Sequence, residues 1–346
     1  MNRFELVQAR DVAHAVELLG SKPNAAIIAG GTNLVDLMKE NVARPDCLID
    51  VTRLPLKAIA EIEDGRVRIG ALVSNAALAC HPIVAKNYPL LSAALLSGAS
   101  PQLRNMASVG GNLLQRTRCY YFYDPATACN KRAPGSGCSA VAGLSRIHAI
   151  LGASEACIAV HPSDMCVALA ALEATVCVEG HSGGRRIAVS DFHRLPGETP
   201  QIDTDLAADE IITAVELPEE GFERHWSYLK IRDRASYAFA LVSVAVGLGI
   251  KDGRVRTARI ALGGVAHQPW RDPEAEERIC GQQPERAAFE AAAAAILRGA
   301  VPYDGNAFKI DLARRAIVRA LLQAATGTQH RPPALRNLNA GGRDSG

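Results

Sequence analysis

Ser108-Val109-Gly110-Gly111-Asn112 and His161-Pro162-Ser163-Asp164 bracket a loop that carries four cysteines. Between them the chain reads Cys119-Tyr-Tyr-Phe-Tyr-Asp124, Cys129-Asn-Lys-Arg132, Gly135-Ser-Gly-Cys138 and Ser154-Glu-Ala-Cys157. The spacing Cys-x9-Cys-x8-Cys-x18-Cys fits no zinc ribbon, whose ligands come as closely spaced pairs. In a loop rich in Gly, Pro and Tyr, burial as ordinary core is the poorest explanation for four thiols. The stretch reads as a metal-cluster loop inserted into a nucleotide-binding domain, with its flanks as two halves of one cofactor site.

The rest of the composition is unremarkable in class. At 346 residues the chain has room for two or three domains. An apolar fraction of 48%, a charged fraction of 21% and a formal charge of +2 suit a globular chain and give no reason to expect nucleic acid or a membrane surface as partner. No apolar run approaches the roughly 18 residues that span a bilayer. Met1-Asn-Arg-Phe-Glu-Leu-Val lacks the charged-then-apolar pattern of a secretory signal. Of the nine cysteines, Cys47, Cys80, Cys166, Cys177 and Cys280 stand singly among apolar residues and read as buried small hydrophobes.

Upstream of the loop, Asp11 caps a helix running to Leu19, and Ala25-Ala-Ile-Ile28 reads as a buried strand. That strand ends in Ala29-Gly30-Gly31-Thr32-Asn33, from which a helix continues from Leu34 to about Asn41. Glycines let backbone N–H groups approach a phosphate, and a helix N-terminus adds partial positive charge. A GlyGly between strand and helix is also the signature of a plain tight turn, so this segment alone decides nothing. Glu61 to Gly70 reads as a hairpin turning at Asp64-Gly65. Ser108 to Asn112 then supplies a second GlyGly turn, and two such loops can hold one pyrophosphate between them. Asp164 follows, with Ser163 or Asp164 as N-cap of a helix from Met165 to Leu172, or with Asp164 as a carboxylate for ribose hydroxyls. Strands are expected at 175–178, 185–189 (after a turn at Gly183-Gly184) and 210–217. Residues 196–209 read as a surface excursion. From about Gly221 three antiparallel strands, 226–232, 239–246 and 255–262, precede helices at 287–297 and 308–325.

With these motifs the chain resembles the FAD-binding medium subunits of the xanthine dehydrogenase / molybdenum hydroxylase family. Ala29-Gly30-Gly31-Thr32-Asn33-Leu34 stands for the family's first flavin motif and Ser108-Val-Gly110-Gly111-Asn112 for its second. The cysteine loop, together with Arg232-Asp-Arg-Ala-Ser-Tyr237, is similar to the FAD and 4Fe–4S subunits of bacterial periplasmic aldehyde oxidoreductases. Subunits of the 4-hydroxybenzoyl-CoA reductase kind also carry such an insertion.

The resemblance implies an α+β chain: a two-subdomain FAD-binding domain of the vanillyl-alcohol-oxidase-like (PCMH) type over 1–220, and a C-terminal α+β domain over 221–326 with a three-stranded antiparallel sheet. The first subdomain would span 1–55 and the second 56–220, with the iron–sulfur insertion at 116–158; residues 327–346 would be a tail, disordered or wrapped on a partner. It implies FAD held by Ile28, Ala29, Gly30, Gly31, Thr32, Asn33, Leu34, Ser108, Gly110, Gly111, Asn112, Gln115, Asp164 and Lys230. Gln115 stands where relatives often have Thr, and Tyr237 where many have Asp. A 4Fe–4S cluster would be ligated by Cys119, Cys129, Cys138 and Cys157, with Arg116, Arg118, Lys131 and Arg132 favouring its reduced state.

The implied partners are a large molybdenum-cofactor subunit, a small 2Fe–2S subunit and an external electron acceptor. No NAD-binding motif is visible, so oxygen, a quinone or a ferredoxin-like protein suits that last role. No residue is expected to be catalytic by itself, and His161 reads as packing or capping. Periplasmic residence would need export on a partner's signal; otherwise the complex is cytoplasmic. Two rivals remain open: a stand-alone FAD oxidoreductase with the cysteine loop as a lid, and a zinc-stapled interaction module.

Overall fold

A computed structural model describes residues 1–327, so residues 328–346 of the expected tail lie outside the described residues. Three sheets organise the chain. The first is parallel, with strands β1 (Glu5–Gln8), β2 (Ala25–Ile28) and β3 (Cys47–Asp50) in the order β1-β3-β2. Helix α1 (Val12–Ser21) begins where Asp11 accepts the His14 amide at 2.7 Å, a cap that stabilises a helix by about 1 kcal/mol. It turns Ala15 and Val16 onto Ile49 and Val51 of the sheet. Helix α2 (Leu34–Lys39) follows β2 directly.

The second sheet is antiparallel, β4-β5-β8-β6-β7. Strands β4 (Ile59–Glu61) and β5 (Val67–Gly70) are joined through Asp64 and Gly65, at φ +68° and +69°, the left-handed pair that the Asp-Gly dipeptide announces. Five short helices then follow: α3 (Asn75–Cys80), α4 (Pro82–Asn87), α5 (Pro89–Ser97), α6 (Pro101–Met106) and α7 (Val109–Leu113). Prolines open α4, α5 and α6, where a missing N–H costs nothing. The cysteine loop holds only α8 (Tyr120–Tyr123). Every residue of α9 (Asp164–Ala171) is buried, which is why its sequence is apolar all round. Strands β6 (Thr175–Gly180) and β7 (Gly183–Ala188), helix α10 (Val189–Phe192) and strand β8 (Ile211–Leu217) complete this unit.

The third sheet, β12-β11-β10-β9, is antiparallel: β9 (Trp226–Ile231), β10 (Val242–Lys251), β11 (Arg254–Gly263) and β12 (Trp270–Arg271). Helices α11 (Pro273–Ile279), α12 (Arg286–Ile296) and α13 (Phe308–Ala325) follow. Val242, Val244, Val246 and Leu248 pack on the side of α12 and α13, whereas Ala245 packs with α5 and α9 of the preceding unit. The two-residue period of β10 therefore joins two cores through one strand.

Several expectations need correction. The third sheet has four strands, because the two-residue β12 was too short to register as a pattern. Its second strand starts at Val242 rather than Phe239. Gly183 and Gly184 lie inside β7, so the turn falls on His181 and Ser182. The second GlyGly pair sits within helix α7 and is no turn. Cys47, Cys166 and Cys177 are buried, but Cys80 is exposed and Cys280 only partly covered, each lying at a helix end.

Candidate cofactor site and cysteine centre

Two cavities, of about 590 and 220 Å3, meet at Thr32, Asn33 and Gly111. The smaller is lined by the run from Ile28 to Leu34 together with Ser108, Gly110 and Gly111. The larger is lined by Asn112, Gln115, Asp164 and Lys230. Every residue expected at a flavin site thus borders one of two joined cavities whose size suits a cofactor.

The loop between β2 and α2 is held by close approach. A Cβ at Gly30 would stand 1.8 Å from the Met106 carbonyl oxygen at the end of α6, and Gly31 has φ +70°. Among the described residues, no backbone carbonyl accepts from the amides of Gly30, Gly31, Thr32 or Asn33. These amides lie just ahead of α2, where uncommitted donors and the partial positive charge of a helix start favour an anion. Asn33 stands at the N-cap position of α2 without capping it; its Oδ1 accepts the Arg116 amide at 3.0 Å.

The second motif works differently. The amides of Val109 and Gly110 bond Val73 and Ala71 carbonyls, and that of Gly111 donates to Ser108 Oγ at 3.2 Å. Its backbone donors are spent inside the fold, so its part is to place the Asn112 side chain. Asn112 Oδ1 accepts from Ser163 Oγ at 2.7 Å and from Gln115 Nε2 at 2.5 Å. Ser163 is the N-cap of α9, accepting the Cys166 amide at 3.0 Å, which leaves Asp164 in the first helical turn.

Asp164 meets Lys230 Nζ at 2.7 Å through Oδ2 and the Tyr228 hydroxyl at 2.6 Å through Oδ1. Burial, with the Asp164 carboxylate beside it, pushes the Tyr228 phenol well above its ordinary value, so it stays a donor. Lys230 also donates to Ser97 O at 3.1 Å, tying β9 to the end of α5.

Sequence reasoning missed two polar groups on the larger cavity. Asn75 Oδ1 and Arg118 Nε are both buried without a partner. Arg118 bonds Asp36 at 2.7 Å and the Tyr123 hydroxyl at 2.8 Å, and its guanidinium lies over the Phe239 ring. An Asn capping nothing and an Arg in a loop give no periodic signal. The uncommitted amides and the polar side chains that line the two cavities fit an extended, hydrogen-bonding phosphate ligand. Tyr237 is exposed at φ +52° on the rim of the same cavity.

The residue after Arg118 is Cys119. Cys119, Cys129, Cys138 and Cys157 line one small closed pocket, and all four are free thiols. Cys129 and Cys138 pair as an isolated antiparallel bridge, as do Ser154 and Cys157. Burial pushes the Cys119 thiol up to about 12 and that of Cys157 to about 11. Two of the sulfurs have polar neighbours: His148 Nε2 lies 3.1 Å from Cys119 Sγ, and the Ala159 amide donates to Cys157 Sγ at 3.4 Å. Four sulfurs lining one pocket, two of them beside a polar hydrogen-bonding neighbour, fit an iron–sulfur ligand set, in which the metal would replace the thiol protons.

The surrounding cations do less than their charges suggest. Arg116 and Lys131 both pair with Asp203, and Arg118 with Asp36. Arg132 spends its guanidinium on the carbonyls of Tyr121, Phe122 and Thr127, pinning the loop. Burial would raise the Asp203 carboxyl, but the His267 hydrogen bond, Arg116 and Lys131 outweigh it and hold it far below the usual range. Asp203 lies in the expected surface excursion, which is therefore anchored to the cysteine loop.

Residues 2–220 match the FAD-binding domain in molybdopterin dehydrogenase, and residues 227–324 the CO dehydrogenase flavoprotein C-terminal domain. The chain belongs to the FAD-binding subunits of the xanthine dehydrogenase / molybdenum hydroxylase family, which are FAD-dependent oxidoreductase subunits. It is 49% identical over 327 residues to the aldehyde oxidoreductase FAD-binding subunit PaoB of Escherichia coli (strain K12), covering 94% of this chain and 99% of that one. It is 31% identical to the nicotine 6-hydroxylase medium subunit of Paenarthrobacter nicotinovorans, over 89% of this chain and 94% of that one. A solved carbon monoxide dehydrogenase from Hydrogenophaga pseudoflava superposes with a TM-score of 0.73 at 29% identity, covering 94% and 98% of the two chains.

Proposed function

We propose that this chain is the electron-transfer flavoprotein subunit of a molybdenum-containing aldehyde oxidoreductase complex, carrying FAD and a 4Fe–4S cluster. Its partners in this reading are a large molybdenum-cofactor subunit and a small 2Fe–2S subunit, and its electrons leave to an external acceptor. The complex would be exported to the periplasm on a partner's signal. The observation that carries the reading is the joined pair of cavities, whose larger member is bordered by Arg118, one residue before the first of four convergent thiols.

Bound FAD supplies exchange between two-electron and one-electron transfer, which no side chain offers. The amides of Gly30 to Asn33 would take its pyrophosphate. The Asp164 oxygens, each with a second lone pair beyond Lys230 and Tyr228, would accept ribose hydroxyls. Cys119, Cys129, Cys138 and Cys157 would ligate the cluster, with the Ala159 amide steadying one sulfur.

Anaerobic purification with flavin, iron and sulfide assay and low-temperature EPR tests this. One FAD and about four irons per chain are expected. Cys129→Ser should lose the iron and keep the flavin. Flavin with zinc or no metal overturns the cluster; protein that binds no flavin overturns the whole reading.

A further inference from the structure

Behind the cofactor carboxylate lies a second group of metal-ligating side chains, apart from the four-cysteine loop. One ring nitrogen from each of His161 and His193 and the Cys166 sulfur lie within 4.8 Å of one another. His161 stands just before the N-cap of α9, Cys166 in its first turn and His193 just after α10. The two imidazoles lie with centroids 4.2 Å apart, their planes tilted by 45°.

What sets this group apart from a packed core is its unused lone pairs. His193 Nε2 donates to the Leu113 carbonyl at 2.9 Å, which fixes the tautomer and leaves Nδ1 as an acceptor. That Nδ1 is buried with no partner, and so is His161 Nε2. A backbone carbonyl that orients one ring nitrogen and leaves the other free is the arrangement seen around protein metal ions. The nearby charges, Asp203, Lys131 and His267, are already engaged with one another, so no carboxylate remains to complete the set.

We propose that His161, Cys166 and His193 form a binding site for a thiophilic d10 cation, Cu+ or Zn2+. Two imidazoles and one thiolate carry a single negative charge, which a monovalent ion neutralises in three-coordination. A divalent ion would take a water as fourth ligand to complete a tetrahedral shell. Binding displaces the Cys166 proton to solvent and forms one metal–sulfur and two metal–nitrogen bonds, with no change in oxidation state. The ion would brace the start of α9, and with it Asp164 and the Ser163–Asn112 bond, against α10.

The test uses the purified complex with its flavin and iron in place. It is titrated separately with Cu+ and Zn2+ against chromophoric chelators and examined by X-ray absorption at each metal's edge. One equivalent beyond the iron, with one sulfur and two nitrogens in its shell, is expected, and the arm in which it appears names the ion. Cys166→Ala should lose that equivalent while keeping flavin and iron. Should the variant fold poorly, anomalous diffraction from metal-soaked wild-type crystals must place the ion between the two rings. No stoichiometric uptake, a shell of four sulfurs, or unchanged binding in a folded Cys166→Ala protein would overturn the site and leave a packed imidazole pair.

Discussion

Asp164 illustrates how much one side chain settles. Its carboxylate and the Lys230 ammonium are 9% and 4% exposed, so each charge depends on the other. Removing one partner of such a buried pair costs about 3–5 kcal/mol, because the survivor stays desolvated. Asp164→Asn should therefore lower the stability of the flavin-free protein by that order in urea denaturation. Asp164→Leu/Lys230→Met should recover most of the loss yet still fail to retain FAD. If the double variant is as unstable as the two single losses added, the pair is not what holds this corner. At this scale the sequence was legible where chemistry and motif coincide, as at Gly30, Gly31, Asn112 and Asp164. It was opaque where a residue matters through a distant partner: nothing near Asp203 announces Arg116, Lys131 and His267.

Between β2 and α2, element geometry decides what the glycines do. Gly30 is packed against backbone, and an added Cβ would meet the Met106 oxygen and carbon at 1.8 and 2.6 Å, neither of which can rotate away. Gly30→Ala should therefore displace the loop, costing about 1–3 kcal/mol and abolishing flavin retention on gel filtration. Gly135→Ala is the control. Its φ of +86° strains an alanine, but open space surrounds it, so it should cost about 1 kcal/mol and leave flavin bound. Retention of flavin by Gly30→Ala would show that the loop tolerates displacement. The Asp11 cap and the Asp64-Gly65 turn were readable from the sequence, whereas the helices that Pro82 and Pro101 open were not. Helix α7 was not, because a GlyGly pair argues for a turn, and only the Ser108 cap and the bonds to Ala71 and Val73 make a helix of it.

Across the whole molecule, the C-terminal unit is tied to the cysteine loop by Asn306, by the Arg146–Asp233 pair and by one buried amine. Lys309 of α13 donates to the carbonyls of His148 and Gly264 at 2.7 and 2.5 Å. Burial lowers its ammonium from 10.5 to about 7. The unfolded chain then binds more protons than the native one between those values, so this residue's contribution raises stability as pH climbs through 7. From pH 7 to 8.5 the gain should be about 1–2 kcal/mol in wild type relative to Lys309→Met, read by urea denaturation at both pH values. Parallel pH dependence in the two proteins would show that Lys309 stays charged throughout. Most strands and the antiparallel C-terminal sheet could be inferred from strand patterning, but not the strand orders of the first two sheets. The sharing of β10 between two cores could not, since alternation along one strand does not say which helices wait on either side.

Arg118 faces the larger cavity and Cys119 the thiol pocket, with one peptide bond between them. Consecutive Cα atoms are about 3.8 Å apart whatever the rest of the chain does. The wall of the larger cavity and the wall of the thiol pocket are thus consecutive in the backbone, and a shift of this segment moves both at once. A substitution that displaces this segment should therefore disturb the cavity and the cysteines together rather than either one alone.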